Sequence, residues 1–325
     1  MLVLLLVFSV ILSVGSVFGD EETIDYSGVG SRVVIENRIK WQATFGESSA
    51  EVDSSEHGVS PGRRKTSCPC GWANRAKGRM IGGKEYARFE YPFTVGVAYS
   101  TYPTRPHCGG TIITSRHVLT AAHCTVNAVG PIGMYITLGE HERGMTPGAY
   151  TIKVDRLIQH PGFHPILLQN DISLLVVNNH LLMSSVVGPA CFPTRSIEEL
   201  AGTHVRILGW GADRVGGPMK FRPQKLDTRV VDKYTCNRVW PHHVSANPVT
   251  QLCTISKNKT PCQGDSGGPV VSLNPETNRY YLVGIVSFGS QCKDNKPSVQ
   301  TLVSAFKDWI MGHIQETSPG QAVCY

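Results

Sequence analysis

From Phe93 onward the chain is divided into short apolar runs separated by glycine, proline and polar residues, and that rhythm limits the fold more than any other feature. The runs are Phe93–Tyr99, Gly110–Ile113, Met134–Leu138, Tyr150–Val154, Ile172–Val177, Val205–Leu208, Gly268–Leu273 and Tyr280–Phe288. Runs of this length, rich in Val, Ile, Tyr and Phe and bounded by turn residues, read as β-strands. No helical period lies between them, so the pattern predicts an all-β barrel or sandwich rather than a parallel sheet with crossover helices. The 33 glycines and 20 prolines fit a body made of strands and turns. One segment breaks the pattern: Val303, Phe306, Ile310 and Ile314 recur at helical spacing, which predicts a helix over 303–314.

The segment ahead of the strands sets the compartment. Residues 2–18 are continuously apolar or small, and Val17 and Gly19 offer a small-residue cleavage site before Asp20. This is the pattern of a secretory signal peptide over 1–19, although the usual basic start is missing. Read as a membrane anchor instead, the segment is at the short limit for spanning a bilayer and has no flanking Lys or Arg. A secreted, extracellular protein without a membrane partner is therefore expected. Ten cysteines behind such a segment imply disulfides formed in an oxidising compartment. Zinc is the competing use, but Cys68-Pro69-Cys70 lacks the two-residue gap of a zinc knuckle. Residues 20–67 show no sustained apolar period and read as a propeptide or flexible leader. The net charge of +6 is spread along the chain, and its one dense basic run, Arg63-Arg64-Lys65, lies in a loop-like stretch, so no nucleic-acid partner is expected.

Three segments carry chemistry: Thr120-Ala121-Ala122-His123-Cys124, Asn170-Asp171-Ile172-Ser173, and Gly264-Asp265-Ser266-Gly267-Gly268-Pro269. Acyl transfer by a serine needs a base for its proton, a carboxylate to hold that base in one tautomer, and backbone N–H groups for the oxyanion. Glycines around Ser266 suit the last demand, because a loop free of side chains can aim its N–H groups at one point. Singly, each segment has a plainer reading: a structural histidine beside a cysteine, an aspartate capping a strand, a glycine-rich loop.

Together, in the order His, Asp, Ser, they resemble the chymotrypsin-like serine protease family; the leader Cys68-Pro69-Cys70-Gly71-Trp72-Ala73-Asn74 and the cysteine near the C-terminus, Cys324, look like those of arthropod secreted and venom proteases. The resemblance covers residues 80–314 and includes Leu208-Gly209-Trp210-Gly211 and Ser287-Phe288-Gly289. It implies two six-stranded antiparallel β-barrels with a C-terminal helix. It also implies a serine endopeptidase, with Ser266 as nucleophile, His123 as base, Asp171 as its orienter, and the N–H groups of Gly264 and Ser266 as oxyanion hole. Residues Ser287 to Gly289 would take the substrate backbone as an added strand. By the same resemblance the protein is a zymogen: cleavage after Arg79 would free an ammonium at Met80 to pair with Asp265. This sets a leader over 20–79 and a catalytic domain over 80–325. Met80 stands where the family has a branched residue, which leaves open a cleavage site one residue away.

In the family, the residue at the base of the specificity pocket lies six before the nucleophile, which is Thr260 here. Members that cut after Lys or Arg carry Asp there, since a buried cation without a counter-charge is prohibitive. With Thr260 at the base and Gly289 and Ser298 as walls, an uncharged aromatic or aliphatic residue is expected. Such an enzyme cannot cut after Arg79 itself, so an activating trypsin-like protease is an expected partner, beside polypeptide substrates and protein protease inhibitors. Two alternatives stay open: a catalytically silent homologue acting as a binding or cofactor protein, and a trypsin-like enzyme drawing its carboxylate from Asp294. The resemblance further implies the disulfides Cys108–Cys124, Cys236–Cys253, Cys262–Cys292 and Cys70–Cys191. Cys68 and Cys324 are left over; they could pair with each other, or Cys68 and Cys70 could exchange partners. No cofactor and no metal are expected. The loop Gly139–Tyr150 resembles a calcium loop but keeps Glu140 without a second acidic ligand. The histidines of 160–164 and 242–243 read as exposed loop residues. Asn258-Lys259-Thr260 is a glycosylation sequon.

Overall fold

The computed structural model describes residues 58–74, 85–100, 103–128, 133–245, 247–257, 259–290, 292 and 295–325. The expected signal peptide, the bond between Arg79 and Met80, and Asn258, Lys293 and Asp294 lie outside these residues.

Twelve strands are present among the described residues. The first six are β1 (Thr94–Tyr99), β2 (Cys108–Ile112), β3 (His117–Thr120), β4 (Met134–Leu138), β5 (Tyr150–Gln159) and β6 (Ser173–Val177). They close an antiparallel barrel in the order β1-β2-β3-β6-β5-β4. The second six are β7 (His204–Gly209), β8 (Gln224–Val231), β9 (Gln251–Ile255), β10 (Pro269–Asn274), β11 (Arg279–Phe288) and β12 (Ser298–Leu302), closed as β10-β11-β12-β9-β8-β7. Two six-stranded barrels followed by a helix is the expected architecture. Each barrel is filled by inward side chains, such as Val95, Ile112, Leu119 and Ile136 in the first and Val205, Ile207, Val230 and Val283 in the second. Burying one such side chain is worth roughly 1.5–3 kcal/mol before chain entropy is set against it.

Four strands, β3, β8, β9 and β12, escape the apolar pattern, and the reason is polar content: half of the four-residue β3 is the buried His117 and Thr120. In β8 only Thr228 and Val230 are fully buried, so the strand alternates weakly. In β9 and β12 every residue is buried, yet Gln251, Thr254, Ser298, Gln300 and Thr301 are among them. The helix expected over 303–314 begins as a 3₁₀ turn at Val303–Phe306 and becomes α-helical only over Lys307–Thr317 (α3), with the four marker residues buried. Two short helices were not expected. The first, α1 (Ile197–Leu200), is closed by a capping box in which Ser196 and Glu199 satisfy each other's backbone N–H. The second, α2 (Lys233–Val239), is capped by Asp232, which accepts from the Thr235 N–H.

Residues 58–74 depart from a flexible leader. Gly62 and Arg64 donate backbone hydrogen bonds to Thr277 and Glu276 at 2.8 and 2.9 Å, Ser67 donates to Tyr325 at 2.8 Å, and Gly71 exchanges with Pro189 and Tyr280. Five disulfides join Cys68 to Cys324, Cys70 to Cys191, Cys108 to Cys124, Cys236 to Cys253 and Cys262 to Cys292. The segment ahead of Arg79 is thus tied by two covalent links, one to Cys191 in the connection between the barrels and one to Cys324 beyond the last helix.

Candidate active site

The three segments singled out in the sequence meet where the barrels face each other. Asp171 lies two residues before β6, and none of its surface is exposed. Its Oδ1 accepts the His123 backbone N–H at 2.8 Å, and its Oδ2 accepts His123 Nδ1–H at 2.7 Å. The Ser287 hydroxyl donates to the same Oδ2 at 2.5 Å, and the Thr301 hydroxyl donates to the Asp171 carbonyl at 2.7 Å. The carboxylate fixes the imidazole: with Oδ2 accepting from Nδ1–H, Nε2 is left as the acceptor. His123 itself sits in a 3₁₀ turn, Ala122–Cys124, anchored by the Cys108–Cys124 disulfide.

The Ser287 contact was not visible in the sequence. Pairing between β11 and β12 slips between Val286 and Phe288, so Ser287 is the extra residue of a β-bulge. A bulge re-aims a side chain, and here it turns a strand hydroxyl onto Asp171.

The Ser266 loop is held by main chain. Gly109 N–H donates to the Ser266 carbonyl at 2.8 Å, Gly267 N–H to Val286 at 2.8 Å, and Val286 N–H to Gly268 at 3.0 Å. Gly109 and Gly268 approach so closely that a Cβ on Gly109 would lie 2.7 Å from the Gly268 Cα. Gly264 has φ +99°, and a Cβ there would also meet Met219 at 2.5 Å, so both conformation and space require glycine. Among the described residues, the N–H groups of Gly264 and Ser266 donate to nothing, and no hydrogen bond joins Ser266 Oγ to His123. Hydrogen bonds of this kind often tighten only when substrate binds.

Asp265 is only partly buried as a residue, yet its carboxylate is enclosed. It accepts the Gly211 N–H at 2.7 Å and the Cys262 N–H at 2.9 Å. A Cβ at Gly209 or Gly211 would fall 2.1 or 1.9 Å from its oxygens, which explains the glycines around Trp210. Burial raises its pKa to about 6 against these two donors, and no basic side chain pairs with it among the described residues.

The residues expected to line the pocket stand on or beside strands of the second barrel. Thr260 is half-buried and Gly289 exposed, and Ser298 is buried, 3.6 Å from where a Gly289 Cβ would stand. Behind Gly289, the Phe288 ring packs edge-on against Trp240 at 5.3 Å and tilted against His243 at 5.4 Å. His243 is therefore packed rather than exposed, and His160 likewise lies against Phe306 and Trp309. In the loop over 139–150, Thr146 is the hub: it accepts the N–H groups of His141 and Glu142 and donates to Glu140 at 2.7 Å. Among the described residues the only His/Cys/Asp/Glu group close enough to hold a metal is Cys108, His123 and Cys124, whose sulfurs are spent in a disulfide.

Residues 80–310 match the family model described as Trypsin, and the chain belongs to the trypsin family of serine proteases, a class of hydrolases. It is 34% identical over 254 residues to venom serine protease 34 of Apis mellifera, covering 76% of this chain and 60% of that one. It is 33% identical to a venom serine protease of Polistes dominula, covering 76% and 88%, and 32% identical to the proclotting enzyme of Tachypleus tridentatus, covering 75% and 68%.

Proposed function

We propose that the protein is a secreted serine endopeptidase, made as a zymogen and cleaving after uncharged aromatic or aliphatic residues. The observation that carries this reading is the buried Asp171, which holds His123 at two atoms while the Ser266 loop is locked to the same barrel through Gly109. In this mechanism His123 Nε2 takes the Ser266 proton as Oγ attacks the peptide carbonyl. The developing oxyanion is met by the N–H groups of Gly264 and Ser266. His123 then protonates the leaving amine, and water repeats the sequence on the acyl-enzyme.

Activation follows from Asp265. Cleavage after Arg79 by a trypsin-like protease frees the Met80 ammonium, which pairs with a carboxylate that no cation meets among the described residues. The Cys70–Cys191 and Cys68–Cys324 links keep the leader attached afterwards. The uncharged Thr260 supports the exclusion of Lys and Arg, and the venom and clotting names of the relatives support an extracellular site of action. The test is hydrolysis of a peptide library before and after trypsin cleavage at Arg79, with Ser266→Ala as control. Activity that appears on cleavage, falls after Tyr, Phe, Leu or Met, and is absent from the variant is expected. A correctly cleaved protein without turnover would favour a binding protein on the same fold, and cleavage after Lys or Arg would refute the pocket argument alone.

A further inference from the structure

Arg63-Arg64-Lys65 is the one place in the sequence where Lys or Arg residues stand side by side, and neither the fold nor the active site uses it. All three are exposed, and no residue from 59 to 69 is buried. Upstream, the chain lies along the turn between β10 and β11. Gly58 N–H donates to Asn278 Oδ1 at 3.0 Å, the N–H groups of Gly62 and Arg64 donate to Thr277 and Glu276, and the Arg64 guanidinium meets the Glu276 carboxylate at 2.6 Å in an exposed ion pair. Downstream, Ser67 N–H donates to Tyr325, and Cys68 and Cys70 begin the two disulfides. Between these anchors, Lys65 and Thr66 make no hydrogen bond or ion pair among the described residues. Residues 1–67 contain no cysteine. A break at Lys65 therefore separates a stretch held, among the described residues, by non-covalent contacts from one held by two covalent bonds.

We propose that Arg63-Arg64-Lys65 is a second processing site, hydrolysed after Arg64 or Lys65 by an endoprotease specific for paired basic residues. Water adds across the peptide bond, leaving a carboxylate on Arg64 or Lys65 and an ammonium on the residue that follows. Exposed backbone with few buried contacts opens locally at little cost, which is what a protease needs to draw a segment into its cleft. Arg79 stands alone between Gly78 and Met80, so the two bonds call for different specificities and can be cut independently. Cleavage at the basic run sheds the residues upstream and leaves a leader of residues 65–79 or 66–79, still bridged to Cys191 and Cys324. The step needs no activity of Ser266, so it holds for a protease and for a binding protein on the same fold alike.

The test exposes the full chain carrying Ser266→Ala, which cannot cut itself, to a purified endoprotease that requires paired basic residues. Intact mass is followed over time, beside a synthetic peptide of residues 60–67. The first product is expected to lack everything through Arg64 or Lys65 while the Arg79–Met80 bond stays whole, and the upstream piece should separate on size exclusion without reductant. Two backbone hydrogen bonds and a surface ion pair should slow the folded chain by no more than about a hundredfold relative to the peptide. The triple variant Arg63→Ser, Arg64→Ser, Lys65→Ser changes only exposed side chains and should stay uncut, with an unchanged circular dichroism spectrum. A first cut elsewhere, protection well beyond about a hundredfold, an upstream piece that stays bound, or equal cutting of the triple variant would overturn the proposal. Cleavage at the run, joined to a wild-type protein that gains no turnover once cut after Arg79, would uphold it while removing the zymogen reading.

Discussion

Asp265 offers the most quantitative test of the activation switch. In the folded chain its carboxylate meets two N–H donors and no described cation, and burial raises its pKa to about 6 from an ordinary 3.8. The folded state therefore binds a proton more tightly than the unfolded one. Stability from this group is full below the unfolded value and is lost as pH rises through about 6. A shift of about two units corresponds to about 3 kcal/mol. His117 acts with the opposite sign: burial between Thr114 and Thr317 lowers its pKa to about 4, so its contribution is present above the ordinary value and lost as pH falls towards 4. The two slopes overlap, and a raw pH profile would hide both. The difference between the uncleaved wild type and Asp265→Asn isolates the first. Losing the Cys262 contact to an amide NH₂ adds an offset that does not depend on pH. Urea unfolding followed by tryptophan fluorescence, from about pH 4 to about pH 7, should show the variant gaining on the wild type by up to about 3 kcal/mol. After cleavage at Arg79 that gain should disappear, because the new ammonium compensates the charge. A difference that stays flat with pH in the uncleaved protein would refute the claim that Asp265 waits as an uncompensated buried acid.

Further outcomes follow from the same geometry. Ser287→Ala removes one of the three donors on the Asp171 carboxylate and should lower kcat/KM about ten- to a hundredfold with KM nearly unchanged, as steady-state kinetics would show. Gly211→Ala sets a methyl 1.9 Å from an Asp265 oxygen, and cleaved protein carrying it should label poorly with a serine-directed phosphonate even where circular dichroism shows a folded chain. The Cys68→Ser, Cys324→Ser double variant should keep its leader on non-reducing gels after cleavage, and only the further change Cys70→Ser should release it.

Much of the fold and site was legible because the relevant signals are local. The apolar runs of β1, β4, β6, β10 and β11 mark strands directly, and His123, Asp171 and Ser266 stand in distinctive company. What was hidden depends on contacts distant in sequence. In β12 the buried Ser298 and Thr301 bond to Thr254 and Asp171, and the Gln300 amide donates to Ser298 and Thr254, so the strand carries little of the apolar signal that a pattern detects. Residues 58–67 looked featureless because their order comes from backbone bonds to Thr277, Glu276 and Tyr325 rather than from their own side chains. Ser287 turns towards Asp171 through a bulge, and a one-residue register slip leaves no trace in composition. The capping box at Ser196 and Glu199 was readable but short.

The joint at Gly109, Gly267 and Gly268 fixes the Ser266 loop against both barrels through main-chain hydrogen bonds. Substitutions at Thr260 and Ser298, the residues proposed to line the pocket, do not enter that joint. Selection can therefore retune recognition in small steps while the chemistry stays constant, and new appetites need not be acquired at the expense of the reaction. The three glycines, which recognise nothing, are in that sense what makes the rest of the cleft free to vary.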